Sequence, residues 1–163
     1  MPEHWVVNAS PLILLAKIEH VHLLKELADQ VIVPEAVLAE VNNGPSQDRA
    51  RRFLAARPLP IVPVAPHPMI ASWDWGEGEA GVLSYATWHP EWKAVIDDGA
   101  ARRCARALDI PHLGTLGVIL RARQADLIAA AVPLLRALRD EGIRLDDAVI
   151  CAALVATSGE AWE

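Results

Sequence analysis

The residues best suited to chemistry in this sequence are acidic or amide side chains that follow short apolar runs typical of buried strands. Asn8 ends the first run, and Asp97 and Asp98 end a later one. Because parallel strands end at the same edge of a sheet, we expect these side chains to meet there. Glu79 lies in the first turn of the helix leading into the later strand, so it can point at the same edge. Glu40, near the end of the helix after the second strand, is the remaining acid expected to reach inward.

A carboxylate cluster without histidine or cysteine suits Mg²⁺ or Mn²⁺ rather than zinc. Such a cation activates a water and neutralises charge on the leaving oxygen of a phosphodiester, which makes RNA or DNA a natural substrate. The candidate metal ligands are Asn8, Glu79, Asp97 and Asp98, and the candidate catalytic residues are these four together with Glu40. Ser10 is expected to assist through its hydroxyl, either by orienting a ligand or by contacting a metal-bound water or the substrate.

Each acid also has an ordinary structural explanation. Glu79 suits the positive end of a helix dipole, Asp97 and Asp98 can cap the following helix, and Glu40 can lie on a solvated face beside the equally polar Glu35. The occurrence of acids or amides at several positions of one sheet edge favours a site over separate structural roles.

The elements that must position these residues alternate between strands and helices, which predicts a three-layer α/β/α fold with a short, mostly parallel sheet of four to five strands. The expected strands are His4 to Val7, Val31 to Pro34, a short edge strand at Leu59 to Val62, Lys93 to Ile96 and Ile110 to Leu113. The expected helices are Pro11 to Ile18, His20 to Ala28, Pro34 to Val41, Gln47 to Ala56 capped by Ser46, Trp75 to Ala86, Ala100 to Leu108, Thr115 to Arg123, Leu127 to Glu141 and Asp146 to Thr157.

Length and composition favour one soluble domain over residues 1–163, with the C-terminal helices from about residue 127 packing on it or extending it. Neither a membrane-spanning run nor an export signal is visible, so we expect a cytoplasmic protein. The net charge of −6 argues against coating nucleic acid by overall charge. Arginines nevertheless cluster in three places, and Arg102 and Arg103, close to the acidic pair, are our candidates for substrate contact.

Cysteines and tryptophans are assigned structural roles. Cys104 and Cys151 lack metal-ligand spacing and are expected to be buried thiols. Four of the six tryptophans bracket the helix that carries Glu79, where they could stack on nucleic-acid bases. We favour packing in the core or in a dimer interface for these tryptophans, which are Trp73, Trp75, Trp88 and Trp92.

Five stretches, in order along nearly the whole chain, resemble the PIN-domain ribonucleases, in particular the VapC-like toxins of toxin–antitoxin pairs and a PIN-like subgroup close to them. The stretches are Val6 to Ile13, Val33 to Val41, Gly76 to Ala80, and Ile96 to Arg103 followed by Gly114 to Gly117. The resemblance places the family's acids at Asn8, Glu40, Glu79 and either Asp97 or Asp98, and its hydroxyl at Ser10. Asn8 departs from the family pattern, which has an aspartate there. An amide oxygen can still ligate a cation, but the missing charge should weaken metal binding.

The resemblance implies a compact α/β/α fold and Mg²⁺- or Mn²⁺-dependent endoribonuclease activity, held silent by an antitoxin protein and housed in a homodimer. An alternative is a PIN-like module that has lost catalysis through Asn8 and retains RNA or protein binding. A response-regulator receiver would carry its acidic pair early and a lysine late, whereas no lysine follows Lys93 here. A dinucleotide-binding enzyme is disfavoured because no G-x-G-x-x-G follows the first strand.

Overall fold

The computed structural model describes residues 2–44, 48–56, 58–73 and 75–162, and within these ranges five strands form one parallel sheet. The strands are β1 (His4–Val7), β2 (Gln30–Pro34), β3 (Ile61–Val62), β4 (Trp92–Val95) and β5 (His112–Leu113). The helices are α1 (Ala9–Lys17), α2 (Leu23–Leu27), α3 (Glu35–Asn42), α4 (Arg49–Ala55), α5 (Pro68–Ala71), α6 (Glu77–Trp88), α7 (Gly99–Ala107), α8 (Thr115–Gln124), α9 (Val132–Asp140) and α10 (Asp147–Thr157). The predicted α/β fold with a short parallel sheet is confirmed.

The strand order is β3-β2-β1-β4-β5, so β1 lies at the centre of the sheet. The chain builds outward from β1 through β2 and β3, then returns to the other side of β1 for β4 and β5. Ligands bind at such reversals of strand order in open α/β sheets, beside the carboxyl ends of the strands. Val7 is paired with Val95 at this reversal, which places Asn8 next to the segment that leads to Asp97.

The central strand is buried on both faces, as parallel strands covered by helices are. Trp5, Val6 and Val7 have no exposed surface, and they belong to one cluster of buried apolar side chains that extends to Leu154 in α10. Both C-terminal helices pack against α8. None of the helices within the described ranges is long and apolar enough to cross a membrane.

Several predicted boundaries are wrong. The helix expected from Leu127 begins only at Val132, and the helix expected from Trp75 begins at Glu77. Ser46 lies outside the described residues, and the cap of α4 is Asp48, whose carboxylate accepts hydrogen bonds from the first-turn amides. The short helix α5 was not predicted, because the prolines around it favoured an irregular connection.

The expected burial of cysteines and tryptophans holds only in part. Cys104 is buried, but Cys151 is exposed, because the core side of α10 is taken by Ile150 and Leu154. Trp92 lies in the core, whereas Trp73 and Trp88 have 58% and 50% of their surface exposed. These two tryptophans therefore do not pack in the core, and the alternative that they pack in a dimer interface stays a prediction.

Candidate active site

Asn8 occupies the strand end at the centre of the sheet, as predicted. Its backbone N–H donates to the carbonyl of Val95 at 3.0 Å, which continues the pairing of β1 with β4. The residue is 4% exposed and precedes α1, yet its side chain does not cap that helix. Its Oδ1 is buried and has no hydrogen-bond partner among the described residues. A buried amide oxygen without a donor is uncommon in folded proteins and is typical of a position that takes a ligand, an ion or a water.

Gly78, in the first turn of α6, brings Glu40 and Asn8 to one place. A Cβ atom at Gly78 would lie 2.7 Å from Oε2 of Glu40 and 3.3 Å from Oδ1 of Asn8, so both oxygens face the space that the glycine leaves open. Two residues earlier, a Cβ at Gly76 would lie 3.3 Å from Oε2 of Glu79 and 4.0 Å from Oε1 of Glu40. The start of α6 is therefore surrounded by the side-chain oxygens of three of the predicted site residues.

The pKa of Glu79 is affected by the acidic side chains around it. Its pKa is raised above the usual value, first by partial burial and then by the negative charges of Asp98 and Glu40. Like charges that face one another disfavour the ionised state of each. The raised pKa of Glu79 therefore follows from its partial burial and from its proximity to Asp98 and Glu40.

Asp97 is the most firmly held of the acids. Its Oδ1 accepts from the backbone N–H of Thr115 at 2.7 Å, and its Oδ2 accepts from the Thr115 hydroxyl at 2.7 Å and from the Ser10 hydroxyl at 3.2 Å. These bonds join the start of α1, the segment after β4 and the start of α8. Ser10 thus has the orienting contact that was predicted as one of its possible roles.

Asp98 has a structural task as well. Its Oδ2 accepts from the backbone N–H of Ala101 at 2.9 Å and caps α7. The capping explanation therefore applies to Asp98, while Asp97, which does not serve as the cap, points to Thr115 and Ser10. Asp98 still lies near enough to Glu79 for its charge to raise the pKa of that residue.

Thr115 is a site residue that our sequence analysis did not select. It is fully buried, and both its N–H and its hydroxyl bind Asp97. Its position two residues after β5, at the same sheet edge as Asn8, was visible in the sequence and could have identified it. Gly114 is coupled to this pair, since a Cβ there would lie 2.9 Å from Oδ1 of Asp97.

The two arginines proposed for substrate contact diverge. Arg102 points toward Gly114, with Nη1 3.5 Å from the position that a Cβ there would take, and Arg103 lies beside the stacked Trp73 and Trp75 rings.

The arginine cluster at the end of α8 makes ion pairs with acidic side chains. Arg121 binds Glu3 at 3.0 Å, and Arg123 binds Asp126 at 3.2 Å, so neither is a free phosphate contact.

The fit of these residues to a hard cation depends on which side-chain oxygens are available to bind it. No three histidine, cysteine or acidic side chains within the described ranges are grouped tightly enough to form a preassembled metal cage. The oxygen without a partner on Asn8, however, faces the Glu40 carboxylate across Gly78, and Glu79 is crowded by negative charge. A divalent cation would give the Asn8 oxygen a partner and would offset the negative charge around Glu79. The donor set therefore fits Mg²⁺ or Mn²⁺.

A comparison with protein families agrees with this geometry. A family model described as a PIN domain matches residues 4–159, which includes every residue of the candidate site. No curated protein matches the chain in sequence. PIN domains are in general nucleases, and they typically use divalent metals. Because the match covers nearly the whole length, this chain belongs to the PIN-domain family.

Proposed function

We propose that this protein is a Mg²⁺- or Mn²⁺-dependent endoribonuclease that hydrolyses RNA phosphodiester bonds at the carboxyl edge of its sheet. The observation that carries the proposal is the buried Oδ1 of Asn8, which has no hydrogen-bond partner in the described part of the chain and faces an acid across Gly78. The residues that would hold the cation are Asn8, Glu79, Asp97 and Asp98, with Glu40 as a further catalytic acid.

When bound there, the cation supplies an activated water and charge neutralisation at the scissile phosphate. Asp97 is oriented for ligation because Thr115 and Ser10 fix both of its oxygens. The pKa of Glu79 is raised, so it retains a proton to higher pH than an ordinary glutamate does, and its ionised carboxylate would be one of the groups that hold the cation. Glu40 is exposed, so it can approach solvent and the substrate from the open side of the site.

The test compares the wild type with Glu79→Gln on single-stranded RNA, with and without Mn²⁺, and follows thermal unfolding in parallel. We expect cleavage only by the wild type with metal, and a rise in melting temperature with Mn²⁺ that Glu79→Gln loses. The matched control is Glu77→Gln, an exposed glutamate of the same helix turn, which should behave as the wild type does. Cleavage that persists in EDTA or in Glu79→Gln would contradict the proposal.

We also propose that the chain acts as one domain, in the cytoplasm and as a homodimer, and is the toxin of a toxin–antitoxin pair. Support for the toxin role comes from the resemblance of Val6 to Ile13 and Val33 to Val41 to VapC-like toxins. Support for one domain comes from the continuous core between Trp5 and Leu154. Induced expression should arrest growth in the wild type and not in Glu79→Gln, and unimpaired growth with the wild type would count against a toxin.

A second candidate is a PIN-like module that binds RNA or protein without cutting. It is favoured by one observation, that the most central position of the site holds the neutral amide of Asn8. The substitution Asn8→Asp separates the two functions. If the natural chain neither binds Mn²⁺ nor cuts RNA, while Asn8→Asp binds Mn²⁺, the binding module is the better description.

A further inference from the structure

A cavity of about 490 Å³ lies beside the candidate active site and is not used by the chemistry described above. Asp97 is on its wall, so the cavity opens onto the carboxylate edge of the sheet. The opposite wall is formed by residues 143–145 and by Val149 in α10. A volume of this size falls in the range of roughly 300–1,000 Å³ that is common for small-molecule sites.

Two arginines and a histidine line this cavity together with Asp97, in a chain whose net charge is −6. Arg102 is half-buried, and its Nε is buried without a hydrogen-bond partner among the described residues. His112 has its Nδ1 2.9 Å from the carbonyl of Ile110, which requires the proton to lie on Nδ1 and turns the ring's other nitrogen away from that carbonyl. Arg144 is exposed at the rim. The two guanidinium groups on this wall suit a phosphate, which accepts several charge-assisted hydrogen bonds.

Arg102 and Asp97 both approach the backbone at Gly114. A Cβ at position 114 would be 3.5 Å from Nη1 of Arg102 and 2.9 Å from Oδ1 of Asp97. The guanidinium and the carboxylate of Asp97 therefore flank the same point of the backbone. Anything held by Arg102 lies directly next to the acid that we propose as a metal ligand.

The rest of the cavity wall is apolar. Leu116 and Leu120 of α8 face Ile143 and Val149, and 53% of the Val149 surface is exposed at the rim. A large apolar side chain left open beside basic groups suits a ligand that is charged at one end and flat and apolar at the other. A nucleotide has this character, with a phosphate for the arginines and a base for the apolar wall.

We propose that this cavity, formed by Arg102, His112 and Arg144 together with the apolar side chains of α8 and Val149, binds one nucleotide of the RNA next to the bond that is cut. The inference that the bound nucleotide belongs to an RNA substrate rests on the proposed function. The expected binding of a nucleoside monophosphate does not depend on it. A nucleoside monophosphate, free or within an RNA chain, is the class of ligand that the cavity takes.

The experiment measures binding by titration calorimetry in EDTA, so that neither metal nor hydrolysis contributes. The probes are adenosine 5′-monophosphate, inorganic phosphate, adenosine and a short single-stranded RNA. Wild type should bind the monophosphate more tightly than either phosphate or adenosine, since each of these lacks one half of the recognition. Tighter binding of the RNA than of the monophosphate would assign the cavity to the polymer, and equal binding would assign it to the free nucleotide.

The variants are Arg102→Gln and Arg144→Gln, with Arg106→Gln as the matched control. Arg106 lies on the same helix as Arg102 but lines a different depression, with Lys93 and Asp109. Loss of a charge-assisted contact should weaken monophosphate binding by about tenfold in Arg102→Gln and leave it unchanged in Arg106→Gln. Arg144 is exposed, so Arg144→Gln tests the cavity even if Arg102→Gln is poorly folded.

Unchanged binding in both Arg102→Gln and Arg144→Gln would overturn the proposal, and so would equal affinity for phosphate and the monophosphate. A loss of binding in Glu79→Gln alone would place the ligand among the carboxylates instead. If the wild type binds the monophosphate as expected but never cuts RNA, the cavity stands while the proposed nuclease activity fails. The two inferences are therefore tested separately.

Discussion

Replacement of Gly78 by alanine is the sharpest test of how the site is assembled. The added Cβ would lie 2.7 Å from Oε2 of Glu40, too close for both to stay, and 3.3 Å from Oδ1 of Asn8. Because Glu40 is an exposed, flexible side chain and Asn8 is 4% exposed, Glu40 is the group that moves. The substitution therefore removes one carboxylate from the cluster without deleting it from the chain.

The change in stability should be small. Alanine gains up to about 1 kcal/mol over glycine inside a helix, and less in a first turn. Forcing Glu40 from its rotamer costs about 0.5–1.5 kcal/mol. These terms nearly cancel, so the melting temperature should move by no more than about 4 °C. Loss of a carboxylate beside the ligands should, in contrast, weaken Mn²⁺ binding by about tenfold or more and reduce RNA cleavage with it.

The assay pairs thermal unfolding with Mn²⁺ titration and RNA cleavage. Gly81→Ala is the matched control, since it makes the same change one turn later in α6, where the Cβ would meet Pro34 at 3.3 Å and no carboxylate. It should leave Mn²⁺ binding as in the wild type. If Gly78→Ala also binds Mn²⁺ and cuts RNA as the wild type does, then Glu40 is not part of the site and its approach to Gly78 has no functional meaning.

Three further predictions follow from individual contacts. Thr115→Val removes the buried hydroxyl that binds Asp97 and should lower the free energy of unfolding by about 1–3 kcal/mol, measured by urea denaturation, with a larger proportional loss of cleavage. Glu79→Gln should raise the free energy of unfolding at neutral pH without metal. The pKa of Glu79 is raised in the fold, so at pH values above the usual pKa of a glutamate its ionised form destabilises the folded state. Equal free energies of unfolding for variant and wild type in EDTA would contradict this. The pKa of Glu3 is lowered to about 2, because hydrogen bonds from Trp5, Lys93 and Arg121 outweigh the opposing effect of burial. Its stabilisation, roughly 1–3 kcal/mol after screening, is therefore present above about pH 4.5 and lost as the pH falls toward 2, and Glu3→Gln should remove that part of the acid dependence.

The sheet and the place of the site were predictable because both follow from periodic patterns. A run such as Trp5-Val6-Val7, ending in a polar residue and a helix start, indicates a buried parallel strand with its end at a ligand edge. The same rule, applied to the run before Asp97, places the two strand ends together without any knowledge of their pairing. Element ends were less predictable. The start of α9 at Val132 depends on a tertiary contact, since the first amides of that helix donate to Glu160. The cap of α4 is local, since Asp48 accepts from Ala50 and Arg51.

The approximate positions of the candidate residues were predictable from the sequence, but the contacts that each one makes were not. Asp97 and Asp98 are adjacent and chemically identical, yet one is held by Thr115 and Ser10 while the other caps α7. The difference arises because α7 begins at Gly99, which leaves only Asp98 in capping position and frees the side chain of Asp97 to turn toward α8. The two adjacent aspartates do not by themselves specify which one takes which role, because that depends on where the segment after β5 places Thr115.

Asn8 is a second residue whose role depends on its surroundings in the fold. From the sequence, the amide is a loss of charge that should weaken a metal site. In the structure Asn8 and Glu40 approach the same point at Gly78, and the pKa of the nearby Glu79 is already raised by burial and by neighbouring negative charge. An aspartate at 4% exposure would add a further charge to this crowded set, which would disfavour the empty site even as it strengthened cation binding. We therefore expect the amide to keep the site stable in the absence of a cation at the expense of cation affinity. Asn8→Asp should show both effects at once: a lower melting temperature in EDTA than the wild type, and a larger rise on addition of Mn²⁺.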